Sequence, residues 1–270
     1  MIGEPLAFGG YKKEDSKYKV LGFPLEVTTT FREGTKWGPY EIRRASTYIE
    51  FRSSLTGLDV DEIGFHDLGD VAPVLGDLEE SLKVLERVLR NVKGIPIILG
   101  GEHSLTYAAV KALRPDCLLI LDAHLDLRDE CMGQKWSHAT WLRRLTEELE
   151  LRVIVAGARA YVKEEVEYAK KKGIKIITEP SLVVESISSC RNLYLSLDMD
   201  FFDPAVAPGV SNPEPGGYNF SDYLTVLQSL YKTQLVGMDV VELSPPYDPS
   251  GVTAILAARA IVEAVAANEL

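Results

Sequence analysis

The sequence predicts an α/β protein: one domain over residues 1–270, with three α/β/α layers around a mostly parallel eight-stranded sheet. Three observations predict it. Short apolar runs alternate with segments of helical periodicity, the rhythm of strand–helix–strand units. Cys117-Leu118-Leu119-Ile120-Leu121 is continuously apolar, as expected of a strand covered on both faces of a parallel sheet. No linker, internal repeat or composition break divides the chain, whose length one large α/β domain can fill.

The elements follow in order. Residues 19–23 read as a first strand, stopped by Pro24, and residues 28–34 as a loop. Gly38-Pro39 opens a helix to about Glu50, with proline in its first turn. A second strand is expected near residues 63–66, running out through Asp67 to Val71. Asp77 caps the next helix, which places Leu78, Leu82, Leu85 and Leu89 on one face and ends at Gly94. Residues 95–99 form a third strand, followed by Gly100 and Gly101, which allow a sharp turn into a helix ending near Leu113. The central strand at 117–121 comes next. The second half repeats the rhythm: helix 137–148, strand 151–156, helix 161–172, strand 174–177, helix 181–188 and strand 192–197. A Pro- and Gly-rich loop at 203–217 precedes helix 220–231, strand 235–241 and a final helix at 253–267.

Composition narrows the function. The hydrophobic fraction of 46% supports a sizeable core. A net charge of -11 and a pI near 5.0 argue against nucleic acid and mildly favour a cationic ligand. Residues 1–19 hold no apolar stretch of signal-peptide length. No uncharged apolar run reaches spanning length, since Arg259 and Glu263 interrupt the last helix, so no membrane partner is expected. Cys117, Cys131 and Cys190, odd in number and without metal-ligand spacing, read as reduced thiols in a cytoplasmic protein. Sparse Asn and Gln fit a thermophile.

The chemistry concentrates after the strands. Asp122, His124 and Asp126 follow the central strand at alternate positions, so an extended backbone would aim all three at one point past its carboxyl end. A lone Asp there is usually a cap or turn former, but this pattern is hard to explain so. Two carboxylates and an imidazole suit Mn, Fe or Zn. His103, the pair Asp198 and Asp200, and Glu242 likewise follow predicted strands. Of the four histidines, His66, His103, His124 and His138, three fall in these segments or in the loop between them.

Gly-Gly-Glu-His-Ser at 100–104, Asp-Ala-His-Leu-Asp at 122–126, Ser-His-Ala-Thr at 137–140 and Ser-Leu-Asp-Met-Asp-Phe-Phe-Asp-Pro at 196–204 together resemble the ureohydrolase (arginase/agmatinase) family, over nearly the whole chain from about Lys19. Val241-Glu242-Leu243-Ser244-Pro245-Pro246-Tyr247-Asp248 is more similar to agmatinases than to arginases. The resemblance implies an arginase-like fold, a homo-oligomer (trimer or hexamer) and two Mn2+ per subunit. It implies that His103 and Asp126 complete one ion, His124 and Asp200 the other, and that Asp122 and Asp198 bridge. Four carboxylates and two imidazoles are too many for one ion and suit two. Such a pair activates water for attack on a guanidinium carbon. Glu102 stands where the family usually has Asp and reads as a supporting residue.

By the same resemblance His138, otherwise a residue near a helix start with Ser137 as N-cap, passes a proton to the departing amine. Asp126 relays a proton from the bridging water. Glu242, otherwise a strand terminus, binds and orients the guanidinium. Asp239 and Arg159 read as structural support, Tyr247 and Asp248 as mouth or turn residues, and His66 as a local bonding partner. The implied reaction is hydrolysis of a small cationic guanidino compound to urea and an amine, first of all agmatine to putrescine, a step of polyamine biosynthesis. Arg128 and Lys135 cut against a purely anionic mouth, so aminopropylagmatine, guanidinobutyrate, arginine and formimidoylglutamate stay open. A single-zinc amide deacetylase of the same fold is a further alternative, but it does not need both His103 and Asp126. A catalytically dead guanidine-binding module would be expected to have lost part of this ligand set.

Overall fold

A computed structural model describes residues 6–10 and 13–270 of the chain. The reading that residues 1–19 hold no secretory core falls partly on residues 1–5 and 11–12, which lie outside the described residues. Eight strands form one sheet: β1 (Tyr18–Phe23), β2 (His66–Asp70), β3 (Ile95–Gly100), β4 (Cys117–Leu121), β5 (Arg152–Ala156), β6 (Lys175–Ile177), β7 (Asn192–Asp198) and β8 (Gln234–Val241). Their order across the sheet is β2-β1-β3-β8-β7-β4-β5-β6, and every neighbouring pair is parallel.

Helices cover both faces, as the continuous apolar strands require. The helices are α1 (Gly38–Ser46), α2 (Val60–Ile63), α3 (Leu78–Leu89), α4 (Leu105–Leu113), α5 (Trp141–Glu148), α6 (Lys163–Lys172), α7 (Val183–Ser186), α8 (Phe220–Leu227) and α9 (Val252–Asn268). Leu118 and Ile120 of β4 enter the core shared with Leu85 of α3, Val110 of α4, Leu145 of α5 and Ala169 of α6. Leu119 and Leu121 enter the opposite core, with Ile42 of α1, Val183 of α7, Tyr223 of α8 and Ile261 of α9. The alternation within one strand thus divides the molecule into three layers.

Local chemistry moves several boundaries. Residues 137–140 are turns rather than helix, because the Thr140 hydroxyl takes the Ser137 N–H at 2.9 Å and donates to the Lys135 carbonyl at 2.9 Å. His138 therefore precedes α5 instead of lying on it. Ile63 closes the short helix α2, and Gly64 at φ 70 ends it, so β2 begins only at His66. The Thr47 hydroxyl donates to the Arg44 carbonyl as α1 stops at Ser46, short of Glu50. The segment expected to be helical at 220–231 is α8 followed by a 3-10 turn, Gln228–Lys232.

Helix α9 is apolar nearly all round because its own chain surrounds it. Ala257, Ala260, Ile261 and Val265 are all fully buried. Buried Glu263 accepts from the Ser54 amide and hydroxyl at 2.8 and 2.7 Å, and from Arg259 at 3.0 Å. The apolar character of this helix is thus explained within one subunit. Among the described residues, no helix is long and apolar enough to cross a membrane.

The cysteines correct an expectation. Cys117 and Cys190 form a disulfide with a Cα–Cα distance of 5.8 Å, so only Cys131 is a free thiol. The parallel pairing of β4 with β7 sets Cys117 opposite Leu193, three residues after Cys190, and a sequence separation of 73 hid that closeness. Cysteine content therefore does not argue for a reducing compartment. Sparse Asn and Gln are compatible with this bond, since disulfides persist inside hyperthermophiles. Closing so long a loop is worth roughly 4 kcal/mol in the chain-entropy account. Thiol titration of the denatured, unreduced protein should find the Cys131 thiol alone, and Cys117→Ala with Cys190→Ala should lower the unfolding free energy by roughly 2–5 kcal/mol. Three reactive thiols before reduction would contradict the bond.

Candidate metal centre and cleft

The strand order explains why residues from four distant segments meet. β3, β8, β7 and β4 are consecutive across the middle of the sheet, and their carboxyl ends deliver His103, Glu242, Asp198 and Asp122. In parallel α/β sheets ligands gather at that end. Gly100 and Gly101 lead from β3 to His103, but neither adopts a positive φ. What Gly101 supplies is room, since a Cβ there would lie 1.9 Å from the Leu25 carbonyl oxygen.

The four aspartates and two imidazoles converge. His103 Nδ1 lies 3.1 Å from Asp122 Oδ2, 3.2 Å from Asp126 Oδ2 and 3.2 Å from Asp198 Oδ2. His124 Nδ1 lies 2.9 Å from Asp200 Oδ2 and 3.5 Å from Asp122 Oδ1. Two groups close enough to hold ions follow, His103 with Asp122 and Asp198, and His124 with Asp122 and Asp200. Residues 122–126 do not converge by simple strand alternation. The chain bends after β4, and Asp126 takes φ 51.

Backbone amides and one indole fix the carboxylates. Asp122 Oδ1 accepts from the His124 amide at 2.6 Å, Asp198 Oδ1 from the Asp200 amide at 2.8 Å, and Asp200 Oδ1 from the Ala123 amide at 3.0 Å. Trp141 Nε1 donates to Asp126 Oδ2 at 2.7 Å. Each of the first three aspartates thus has one oxygen fixed by the backbone, and Asp122 Oδ1, so fixed, still lies within reach of His124 Nδ1.

Behind His103 lies a network that sequence reading noticed only at Asp239. Asp239 is fully buried and accepts from Ser196 Oγ at 2.6 Å, Tyr194 Oη at 2.7 Å and Thr106 Oγ1 at 2.8 Å. Ser196 gives its proton to Asp239, so at 2.9 Å it accepts from His103 Nε2. That leaves Nδ1 as the ring nitrogen facing three carboxylate oxygens. Buried and without a hydrogen-bond partner, it fits a divalent cation that takes the place of its proton. A polar Ser196 inside the apolar run Leu193-Tyr194-Leu195-Ser196-Leu197 was the signal that could have found this network.

The charges are strongly coupled. Burial and the neighbouring Asp200 and Asp122 push the Asp198 carboxyl well above its usual range. Burial opposes a charge on His103, but Asp122, Asp126 and Asp198 overcome it and raise the ring well above the usual imidazole range. Burial likewise opposes a charge on His124, yet Asp200 and Asp122 push it up to about 12.

A cleft of about 340 Å³ opens over this centre, with His138, Glu242, Arg128, Met132 and Asn212 among its walls. Glu242 sits at φ 62, Oε1 accepting the His103 amide at 2.7 Å and Oε2 the Ser211 hydroxyl. Burial pushes its carboxyl up to about 7, with His138, Ser211 and the His103 amide pulling the other way. Of the four non-glycine residues at positive φ among the described residues, Arg114 ends α4, while Asp126, Met132 and Glu242 line the cleft.

Other expected residues lie outside the cleft. Arg159 donates to the Asp200 carbonyl at 2.7 Å and the Glu214 carbonyl at 2.8 Å, bracing the turn behind Asp200. Asp248 accepts the Thr253 amide at 2.7 Å and has a turn role, and Tyr247 carries Arg32 over its ring. His66 Nδ1 meets Lys19 Nζ at 3.1 Å. Asp129, next to Arg128, is taken up by Arg144 and Arg143.

A family model described as the arginase family matches residues 16–267. An agmatinase of Pyrococcus horikoshii is 37% identical over 243 residues, 86% of this chain and 85% of that protein. An N(1)-aminopropylagmatine ureohydrolase of Thermococcus kodakarensis is 34% identical over 92% of this chain and 91% of its own. The crystal structure of an agmatine ureohydrolase of Thermoplasma volcanium superposes with a TM-score of 0.88 at 36% identity, over 98% of this chain and 94% of that one.

The raised imidazoles have a measurable consequence. Protein stripped of divalent cations holds protons on His103 and His124 at neutral pH, because their folded values lie above the ordinary imidazole value. A cation that takes the imidazole lone pairs must release those protons, so its apparent affinity strengthens as pH rises. Calorimetric titration with Mn2+ in two buffers of different ionisation enthalpy should report net proton release. Identical heats in both buffers would show neutral rings.

Proposed function

The chain belongs to the arginase family and is a hydrolase of the ureohydrolase kind, and we propose that it hydrolyses agmatine to urea and putrescine on a pair of manganese ions. The observation that carries this reading is the convergence of Asp122, Asp126, Asp198 and Asp200 on His103 and His124, under a cleft walled by Glu242 and His138. We propose that His103, Asp122, Asp126 and Asp198 hold one ion and His124, Asp122, Asp198 and Asp200 the other. When bound, such a pair lowers the pKa of water toward about 7 and supplies the nucleophile.

The chain's own residues do the rest. Glu242 orients the guanidinium, whose positive charge draws the proton from a carboxyl otherwise held at about 7. Asp126, fixed by the Trp141 indole, accepts a proton from the attacking side. His138 lines the same cleft as the metal ligands and gives a proton to the leaving amine. Exposed Arg128 on the rim, with Asp129 engaged elsewhere, supports a second reading: a guanidino compound with a carboxylate tail, such as guanidinobutyrate.

Urea release measured across agmatine, aminopropylagmatine, guanidinobutyrate and arginine should be fastest with agmatine. Preference for guanidinobutyrate would establish the second reading, and no urea from any of them would refute both. Asp198→Ala should abolish activity and lower metal content, because one residue serves both ions. His138→Asn should lower kcat by about 10²–10⁴-fold with manganese retained. Loss of manganese from His138→Asn would move that residue into the metal shell.

A further inference from the structure

The ring of His138 ends a hydrogen-bond chain that begins at Glu102. Glu102 is fully buried, and its carboxylate accepts the Val27 amide at 2.8 Å, the Thr28 amide at 2.7 Å, the Ser104 hydroxyl at 2.7 Å and the Thr28 hydroxyl at 3.0 Å. Thr28 Oγ1 also lies 3.0 Å from the His138 amide nitrogen and 3.2 Å from His138 Nδ1. A hydroxyl has one proton to give and two lone pairs to offer. A carboxylate only accepts, so the Thr28 proton goes to Glu102. The two lone pairs are left for the His138 amide and for Nδ1, which must bring the hydrogen. On the other side of the ring, Nε2 lies 3.3 Å from Thr30 Oγ1, a residue of the cleft wall.

We propose that Glu102 is a positioning residue acting through the Thr28 hydroxyl: it holds the His138 hydrogen on Nδ1, so that Nε2 is the nitrogen that carries the mobile proton in the cleft. The inference rests on the proton-delivery role proposed for His138. The balance is simple. The imidazolium gives its Nε2 proton to the nitrogen of the departing amine, the ring is left neutral with its hydrogen on Nδ1, and the proton released when the attacking water ionises returns to the ring through solvent. A ring free to hold its hydrogen on Nε2 would have the wrong nitrogen facing the cleft for uptake. The same carboxylate anchors residues 27–28, so the acidic side chain before His103 ties the end of β3 to the segment that leads to Thr30.

Nitrogen-15 NMR of histidine-labelled protein reads the tautomer directly. The chain has only four histidines, and His138→Asn identifies the signal. In its neutral form, wild-type His138 should show a protonated Nδ1 and a bare Nε2. Thr28→Val removes the hydroxyl at nearly constant shape and should give mixed tautomers. It should also lower kcat about 10- to 100-fold while KM moves by about twofold or less and metal content is unchanged. Thr28→Ser should restore both the spectrum and the rate. A bare Nδ1 in the wild type overturns the inference without any variant. So does a fall in kcat in Thr28→Val with the tautomer unchanged, or an unchanged kcat. If no guanidino compound yields urea, the functional reading fails, and the wild-type spectrum still decides this one.

Discussion

Four carboxylates share one buried space at the centre of the sheet, and much of the neighbouring architecture serves to keep them there. Two like charges about 4 Å apart repel by about 4 kcal/mol at an effective dielectric of 20, so such a cluster would open if its parts were free to move. Asp122 and Asp198 stand at the ends of adjacent parallel strands, β4 and β7, and Asp200 follows in the next turn. Amides of the turns after β4 and β7 hold one oxygen each of Asp122, Asp198 and Asp200 and so fix the orientation of these acids. The repulsion is therefore carried by the backbone and relieved by whatever positive charge enters: protons on the imidazoles, or cations.

Much of this was legible because it is local. Asp122, His124 and Asp126 announce themselves by type and spacing, and each further acid follows an apolar run that could only be a buried strand. That both faces of a parallel sheet would be covered was legible for the same reason. What was not legible depended on contacts between distant segments. Cys117 and Cys190 meet through the pairing of β4 with β7, which no local pattern encodes. Thr28 and Thr30 look like any loop threonines until the fold brings His138 against them. Even the convergence of residues 122–126 was expected for an incomplete reason, since it needs a bend and a left-handed Asp126 as well as the period of a strand.

One arrangement occurs twice. Asp239 engages Ser196, which engages His103; Glu102 engages Thr28, which engages His138. A carboxylate can only accept, a hydroxyl has one proton, and so a buried acid dictates which imidazole nitrogen carries hydrogen two bonds away. The acids differ in position and the outcome differs accordingly. In one case Nδ1 is the nitrogen turned to the aspartates, in the other Nε2 the nitrogen turned to the cleft.

The left-handed backbone at Asp126, Met132 and Glu242 bears on how this sequence could change. Non-glycine residues avoid that conformation, and holding one there costs of order 1 kcal/mol or more. Glycine or asparagine would sit there more comfortably. Random drift filtered only for folding would thus favour erasing the side chains that line the cleft before those of the core. At these positions a change to glycine would ease the backbone while removing a side chain from the cleft wall, so stability and cleft chemistry pull in opposite directions there.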